Sequence, residues 1–126
     1  MKWEFYNPHP FKNRIGDCAI RALAKALNQS WEKTYIDLVI DGFIRYDLPN
    51  ADIVWGRHLI KNGFHRKLIP DDGFGDYTVE DFANDHPKGT FVLSMPGKHV
   101  VTLVDSVLYD TWDSRKEVPS FYFTKN

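Results

Sequence analysis

Thr90-Phe-Val-Leu-Ser-Met95, Pro96-Gly97-Lys98, His99-Val-Val-Thr-Leu-Val104, Asp105-Ser106, Val107-Leu-Tyr-Asp-Thr-Trp112: this run decides the fold class. Three β-branched and aromatic stretches are separated by two short turn-formers, the pattern of consecutive antiparallel strands. Read as a two-residue turn, Asp105-Ser106 sets Val104 against Val107. Counting outward, Val101 faces Asp110 and His99 faces Trp112. Opposed residues share a face, so His99, Val101, Asp110 and Trp112 project together, with Asp110 diagonal to His99. An aspartate inside Val-Leu-Tyr-Asp-Thr-Trp is out of character for a strand and needs a partner. A histidinium supplies one. Asp113 is the alternative partner; by the same count it points to the other face, and a one-residue slip would exchange the two.

Upstream of this run the period changes. Gly16-Asp17 precedes Cys-Ala-Ile-Arg-Ala-Leu-Ala-Lys-Ala-Leu, where Ile20, Leu23 and Leu27 recur at helical spacing among alanines and Arg21 and Lys25 fall on the other face. The spacing predicts a helix over 18–27, capped by Asp17. Ser30 caps a second helix carrying Trp31, Tyr35, Leu38 and Val39 and ending near Gly42. Ile53 to Ile60 forms a third, stopped by Asn62-Gly63. Phe64 to Ile69 reads as a short strand, Pro70 to Gly75 as a loop, 79–84 as a helix behind Thr78, and Phe121 to Phe123 as a last strand. The first ten residues, with Asn7-Pro8-His9-Pro10, read as an extended arm packed by Trp3, Phe5 and Tyr6. Helices first and antiparallel strands afterwards predict one α+β domain, N-terminal helices packed on a C-terminal antiparallel sheet.

Composition narrows the function classes. The chain has 126 residues, with 16 Lys+Arg against 17 Asp+Glu and a formal net charge of −1. That balance argues against a dedicated nucleic-acid binder, which needs surplus cations to neutralise phosphate. No apolar run reaches the roughly 18 residues of a membrane span. The N-terminus lacks the apolar stretch of a signal peptide, so no membrane association and a cytoplasmic location are expected. Cys18 has no second cysteine to pair with, which excludes an internal disulfide and a multi-cysteine zinc site.

Cys18 itself sits at the first turn of a helix, where free N–H groups and the positive end of the macrodipole favour a thiolate. A base is available in His99, which opens an apolar strand behind Pro96-Gly97-Lys98. The other histidines have less to recommend them: His9 reads as exposed in the arm, His58 in mid-helix and His86 in a turn as ordinary surface positions, and His65 alternates with charged neighbours in a short strand. Cys18, His99 and Asp110 are therefore the candidate catalytic set, with Asp113 the alternative third member.

Gly16-Asp17-Cys18 at a helix start, His99 opening a strand and Asp110-Thr111-Trp112 on the next strand resemble the papain-like cysteine peptidase superfamily, in its compact bacterial and phage form. The resemblance covers the first helix and the C-terminal sheet, and does not extend over about 29–88. It implies a papain-like fold and a thiol hydrolase without a cofactor, acting on a peptide or protein substrate. Cys18 would be the nucleophile, His99 the base and Asp110 its orienter, with Trp112 shielding the His–Asp bond. The family's oxyanion glutamine falls here at Lys12, and Asn13 beside it is the nearest amide. Ala19 follows Cys18 where papains carry an aromatic. Trp55, Phe74 and Trp112 are candidates to line a pocket, with core packing the competing role for each. A transglutaminase or deamidase on a related fold is the first alternative. A non-catalytic binding module derived from a peptidase is the second. Metal binding by Cys, His and Asp fits the residue order less well than nucleophilic catalysis does.

Overall fold

Residues 1–69 and 75–126 are described by a computed structural model. Three helices, α1 (Cys18–Ala26), α2 (Trp31–Arg45) and α3 (Asp52–Lys61), follow a first strand β1 (Lys2–Phe5). Strand β2 (His65–Leu68) and helix α4 (Val79–Asp85) come next. Strands β3 (Thr90–Met95), β4 (His99–Val104), β5 (Val107–Asp110) and β6 (Phe121–Thr124) complete the chain. The strands form one open sheet in the order β1-β5-β4-β3-β6-β2. The fold is α+β, as the segregation of patterns predicts.

The sheet is mixed, which corrects the expectation of a wholly antiparallel one. β1 runs parallel to β5, pairing Lys2 with Val107 and Phe5 with Asp110. The arm at the N-terminus is thus a strand. A parallel pair needs a long crossover, here about a hundred residues, so no turn signal announces it. The remaining pairs are antiparallel.

Alternation along β4 sorts the core into two layers. Val100 joins Ile20, Leu23, Trp55 and Leu59 under α1 and α3. Val101 and Leu103 join Phe82, Leu93 and Leu108 on the α4 face. Trp55 is fully buried in the first layer and donates its indole N–H to Asp52, so it packs the core and lines no cleft. Phe74 and most of the loop from Pro70 lie outside the described residues. Helix α2 runs three residues past Gly42, and the chain beyond its end folds back over that glycine. A Cβ there would meet the Asp47 carbonyl at 2.8 Å, and Asp47 N–H bonds the Gly42 carbonyl at 2.9 Å. No helix among the described residues is long and apolar enough to cross a membrane.

Candidate active site

The β4–β5 hairpin has the register that counting gives: Val104 opposes Val107 and Thr102 opposes Tyr109. Its two-residue turn places Asp105 at φ 46° and Ser106 at φ 65°, the left-handed pair that matches strand twist. In consequence His99, at the start of β4, and Asp110, at the end of β5, meet at one rim of the sheet. His99 Nε2 lies 2.7 Å from Asp110 Oδ2. With Nε2 so engaged, Nδ1 is the ring nitrogen left for the thiol.

The turn before β4 sets the other half. Gly97 (φ 82°) and Lys98 (φ 64°) are both left-handed, and the reversal aims the Lys98 carbonyl at α1. Cys18 Sγ lies 3.3 Å from that oxygen, to which the neutral thiol donates. Burial pushes the thiol pKa up. Hydrogen bonds from His99 and the Val100 N–H, with the positive charges of His99 and Arg21, outweigh it and hold Cys18 below its ordinary value. His99 shows the mirror balance. Burial lowers its pKa, but its bonds to Asp110 and Cys18 and their negative charge carry it up to about 9. The two shifts run in opposite directions, the thiol toward thiolate and the imidazole toward imidazolium.

Asp110 is buried and fully engaged. Its Oδ2 accepts from His99 and, at 2.7 Å, from the Ser114 hydroxyl. Its Oδ1 accepts from the Thr111 N–H at 2.7 Å and from Arg21 at 3.3 Å. Burial raises its pKa, and the His99 and Ser114 bonds, the His99 charge and the Thr111 N–H bring it below the usual carboxylate range. Its backbone carbonyl accepts from Tyr6 N–H at 2.9 Å and from the Trp3 indole at 3.3 Å. The unannounced strand β1 thus holds Asp110 in place from the sheet edge.

Arg21 and Asp17 depart from their expected roles. Arg21 is buried, not on a solvent face, and bridges Asp17 and Asp110. Asp17 stands at the N-cap position but makes no side-chain cap bond. Its carboxylate goes to Arg21 and, at 2.9 Å, to the Trp31 indole N–H. Neither Arg21 nor Ser114 was singled out by the sequence. An arginine one turn after Cys18 on an alanine-rich helix was the available signal.

Asp113 points elsewhere: it is exposed and clasped by Arg115 through two 2.8 Å bonds. Asn13 is exposed in the loop before α1. Its N–H donates to His9 Nδ1 and its carbonyl accepts from Asn7. Its side-chain amide has no hydrogen bond among the described residues. His9, expected to be exposed, is buried against Trp31 with ring centroids 4.8 Å apart. His58 is buried as well, 2.7 Å from Asp41. His86 stacks on Phe82 at 4.1 Å, and His65 is exposed at the start of β2. Trp112 lies just beyond β5, 43% exposed, its ring 5.0 Å from that of His99. Among the described residues no group of His, Cys, Asp and Glu forms a metal-binding cluster.

Compared with protein-family models, with curated proteins and with solved structures, the chain matches none of them.

Proposed function

We propose that this chain is a papain-like cysteine hydrolase that cleaves a peptide or isopeptide amide through Cys18, His99 and Asp110. The observation that carries the reading is the His99–Asp110 bond at the rim where α1 begins, with the Cys18 thiol beside the imidazole. Two groups of opposite charge preference meet there: a thiol drawn toward thiolate and an imidazole drawn toward imidazolium.

The reaction follows from that pair. The Cys18 thiolate attacks the carbonyl carbon, and the oxyanion forms near the first turn of α1. The Cys18 backbone N–H, at the first position of α1 and so without an intrahelical partner, is the donor available to it. The carbon–nitrogen bond breaks as His99 Nδ1 gives its proton to the leaving amine. A thioester remains on Cys18. His99, now neutral, takes a proton from water, which attacks the thioester and releases the acid and the thiolate. Asp110 keeps the ring oriented and stabilises its charged form. Trp112 covers one side of the ring and limits water at the His–Asp bond.

Iodoacetamide alkylation of Cys18 as a function of pH tests the ion pair without a known substrate. The wild type is expected to react well below the ordinary thiol pKa of about 8.5. His99→Ala is expected to react at least about tenfold more slowly at pH ~6. Equal titration of the two proteins near pH ~8.5, or a silent thiol, would leave a binding module with no thiolate. A reactive pair then justifies screening peptide and isopeptide libraries, with Cys18→Ala as the blank.

A further inference from the structure

Helix α3 and the outer strands of the sheet leave a groove of about 520 Å³ between them. Small-molecule sites commonly measure about 300–1,000 Å³. One wall is α3, where Ile53, Gly56, Arg57 and Ile60 recur at three- and four-residue spacing and so share one side of the helix. The opposite wall is Arg66 of β2, and the floor is Phe121 and Phe123 of β6. The strand register makes this arrangement. Arg66 pairs with Phe123 and stands diagonal to Phe121, so all three project from one face of the sheet. A Cβ at Gly56 would meet the Phe123 ring at 3.1 Å. Helix α3 thus rests directly on that ring and closes the base of the groove. Higher up, Ile53 and Ile60 are each about half exposed. The polar groups of the groove are mainly cationic. The Arg66 guanidinium lies 4.2 Å from the centroid of the Phe121 ring, a stacking that holds it above the floor. Among the described residues neither Arg57 nor Arg66 belongs to an ion pair. The lining carboxylate, Asp52, accepts from the Trp55 indole N–H at 3.2 Å. Two arginines therefore face one carboxylate, and the groove carries a positive charge.

We infer that this groove binds a small organic acid, its aromatic or branched aliphatic body seated on Phe121 between Ile53 and Ile60 and its carboxylate held by Arg57 and Arg66. A planar guanidinium presents paired N–H donors that match the two oxygens of a carboxylate. An uncharged ligand of the same shape gains only the apolar contact, and a cationic one meets two like charges. The groove is distinct from the candidate active site. Phe121 shares a rung with Ser94, and Ser94 with Val100. The floor therefore begins two strand spacings, about 10 Å, from the residue whose N–H bonds the Cys18 thiol. Cys18, His99 and Asp110 contribute nothing to the lining, so the inference does not rest on the proposed chemistry.

Amide NMR spectra of the isotope-labelled full chain, titrated with small probes up to about 5 mM, test it. The probes are phenylbutyrate and isocaproate, with phenylbutanol and phenylbutylamine as the neutral and cationic counterparts of the first. At least one carboxylate is expected to shift the Gly56, Arg57, Arg66 and Phe121 amides saturably. Phenylbutyrate is expected to bind at least about tenfold more tightly than phenylbutanol, and phenylbutylamine to give no saturable shift at these positions. Arg57→Gln and Arg66→Gln are each expected to weaken the carboxylate at least about fivefold and to leave the alcohol unchanged. Both side chains are exposed, and the spectrum of each variant shows directly that it is folded. Lys33→Gln, on α2, is expected to change nothing. Equal binding of acid and alcohol overturns the inference and leaves an apolar groove without charge selection. Shifts confined to other surfaces, no saturable shift with either carboxylate, or carboxylate binding unmoved by both arginine variants overturn it as well.

Discussion

Two histidine–aspartate pairs in this molecule share one separation. His99 Nε2 lies 2.7 Å from Asp110 Oδ2, and His58 Nδ1 lies 2.7 Å from Asp41 Oδ2. Each aspartate also holds a second cation: Arg21 on Asp110 and Lys61, at 3.0 Å, on Asp41. Beyond that the regions differ. The His99 pair is built from two strand ends and a helix start, and its imidazole faces a thiol. The His58 pair ties α2 to α3, and Asn62 closes over it by bonding the His58 carbonyl at 2.8 Å. A histidine–aspartate pair of good geometry is therefore not in itself a chemical site. What distinguishes the first pair is the third group: beside it stands a cysteine at a helix N-terminus, and the proposed chemistry rests on that neighbour.

The second cations give the sharpest division. Arg21 has a side chain only 9% exposed, whereas that of Lys61 is 58% exposed. Removing a buried cation strands its carboxylates, whereas an exposed lysine is replaced by water. Arg21→Met is expected to lower the unfolding free energy by about 3–5 kcal/mol, read from urea denaturation. Lys61→Met is expected to change it by less than about 1 kcal/mol. Comparable losses would mean that the two aspartates are held alike, and the comparison would lose its electrostatic basis.

How far the sequence led can be seen at particular residues. The register that brings His99 to Asp110 was legible because a two-residue turn fixes every pair behind it. Asp110 was legible because a carboxylate in a strand must find a partner. Arg21 was not, because α1 is buried nearly all round: Ala19, Ile20, Ala22, Leu23 and Ala24 leave too little contrast between faces for its periodicity to place an arginine. Likewise α2 was legible as a helix, but with apolar residues on both sides its sequence does not say which face is covered. β1 has four residues and a partner about a hundred positions away, beyond any local pattern. His9 was misread because its burial depends on Asn7, whose side chain binds the His9 N–H and the Lys12 and Asn13 carbonyls.

A substitution in the other pair tests the division from the opposite direction. His58→Ala removes the ring that satisfies Asp41 Oδ2 between α2 and α3. The expected loss of stability is about 1–3 kcal/mol, the cost of a buried acceptor left without its donor. The low-pH alkylation of Cys18 is expected to stay at the wild-type rate, because His58 takes no part in the thiol's surroundings. A variant that folds normally yet loses that reactivity would join the two regions into one functional unit.

The smallest effect is a displacement of one titration. His99 carries its proton up to about 9, and the Asp110 carboxylate is the first of the groups that hold it there. A histidine raised above its unfolded value of about 6.5 contributes stability that is complete below that value and is lost as the pH rises through about 9. Proposed proton donation to a leaving amine fails over the same rise. Asp110→Asn keeps the shape and an acceptor for the ring but removes the charge, so the His99 titration is expected to move down toward 6.5, read by NMR of the ring protons. Asparagine cannot satisfy this position in full. Both Asp110 oxygens accept, from His99 and Ser114 on one side and from Thr111 and Arg21 on the other. An amide nitrogen on either side would face donors, which is a physical reason for aspartate at this place in the chain. A His99 titration unmoved by the substitution would assign the raised pKa to the thiol alone, and the candidate site would be a cysteine–histidine pair without a third member.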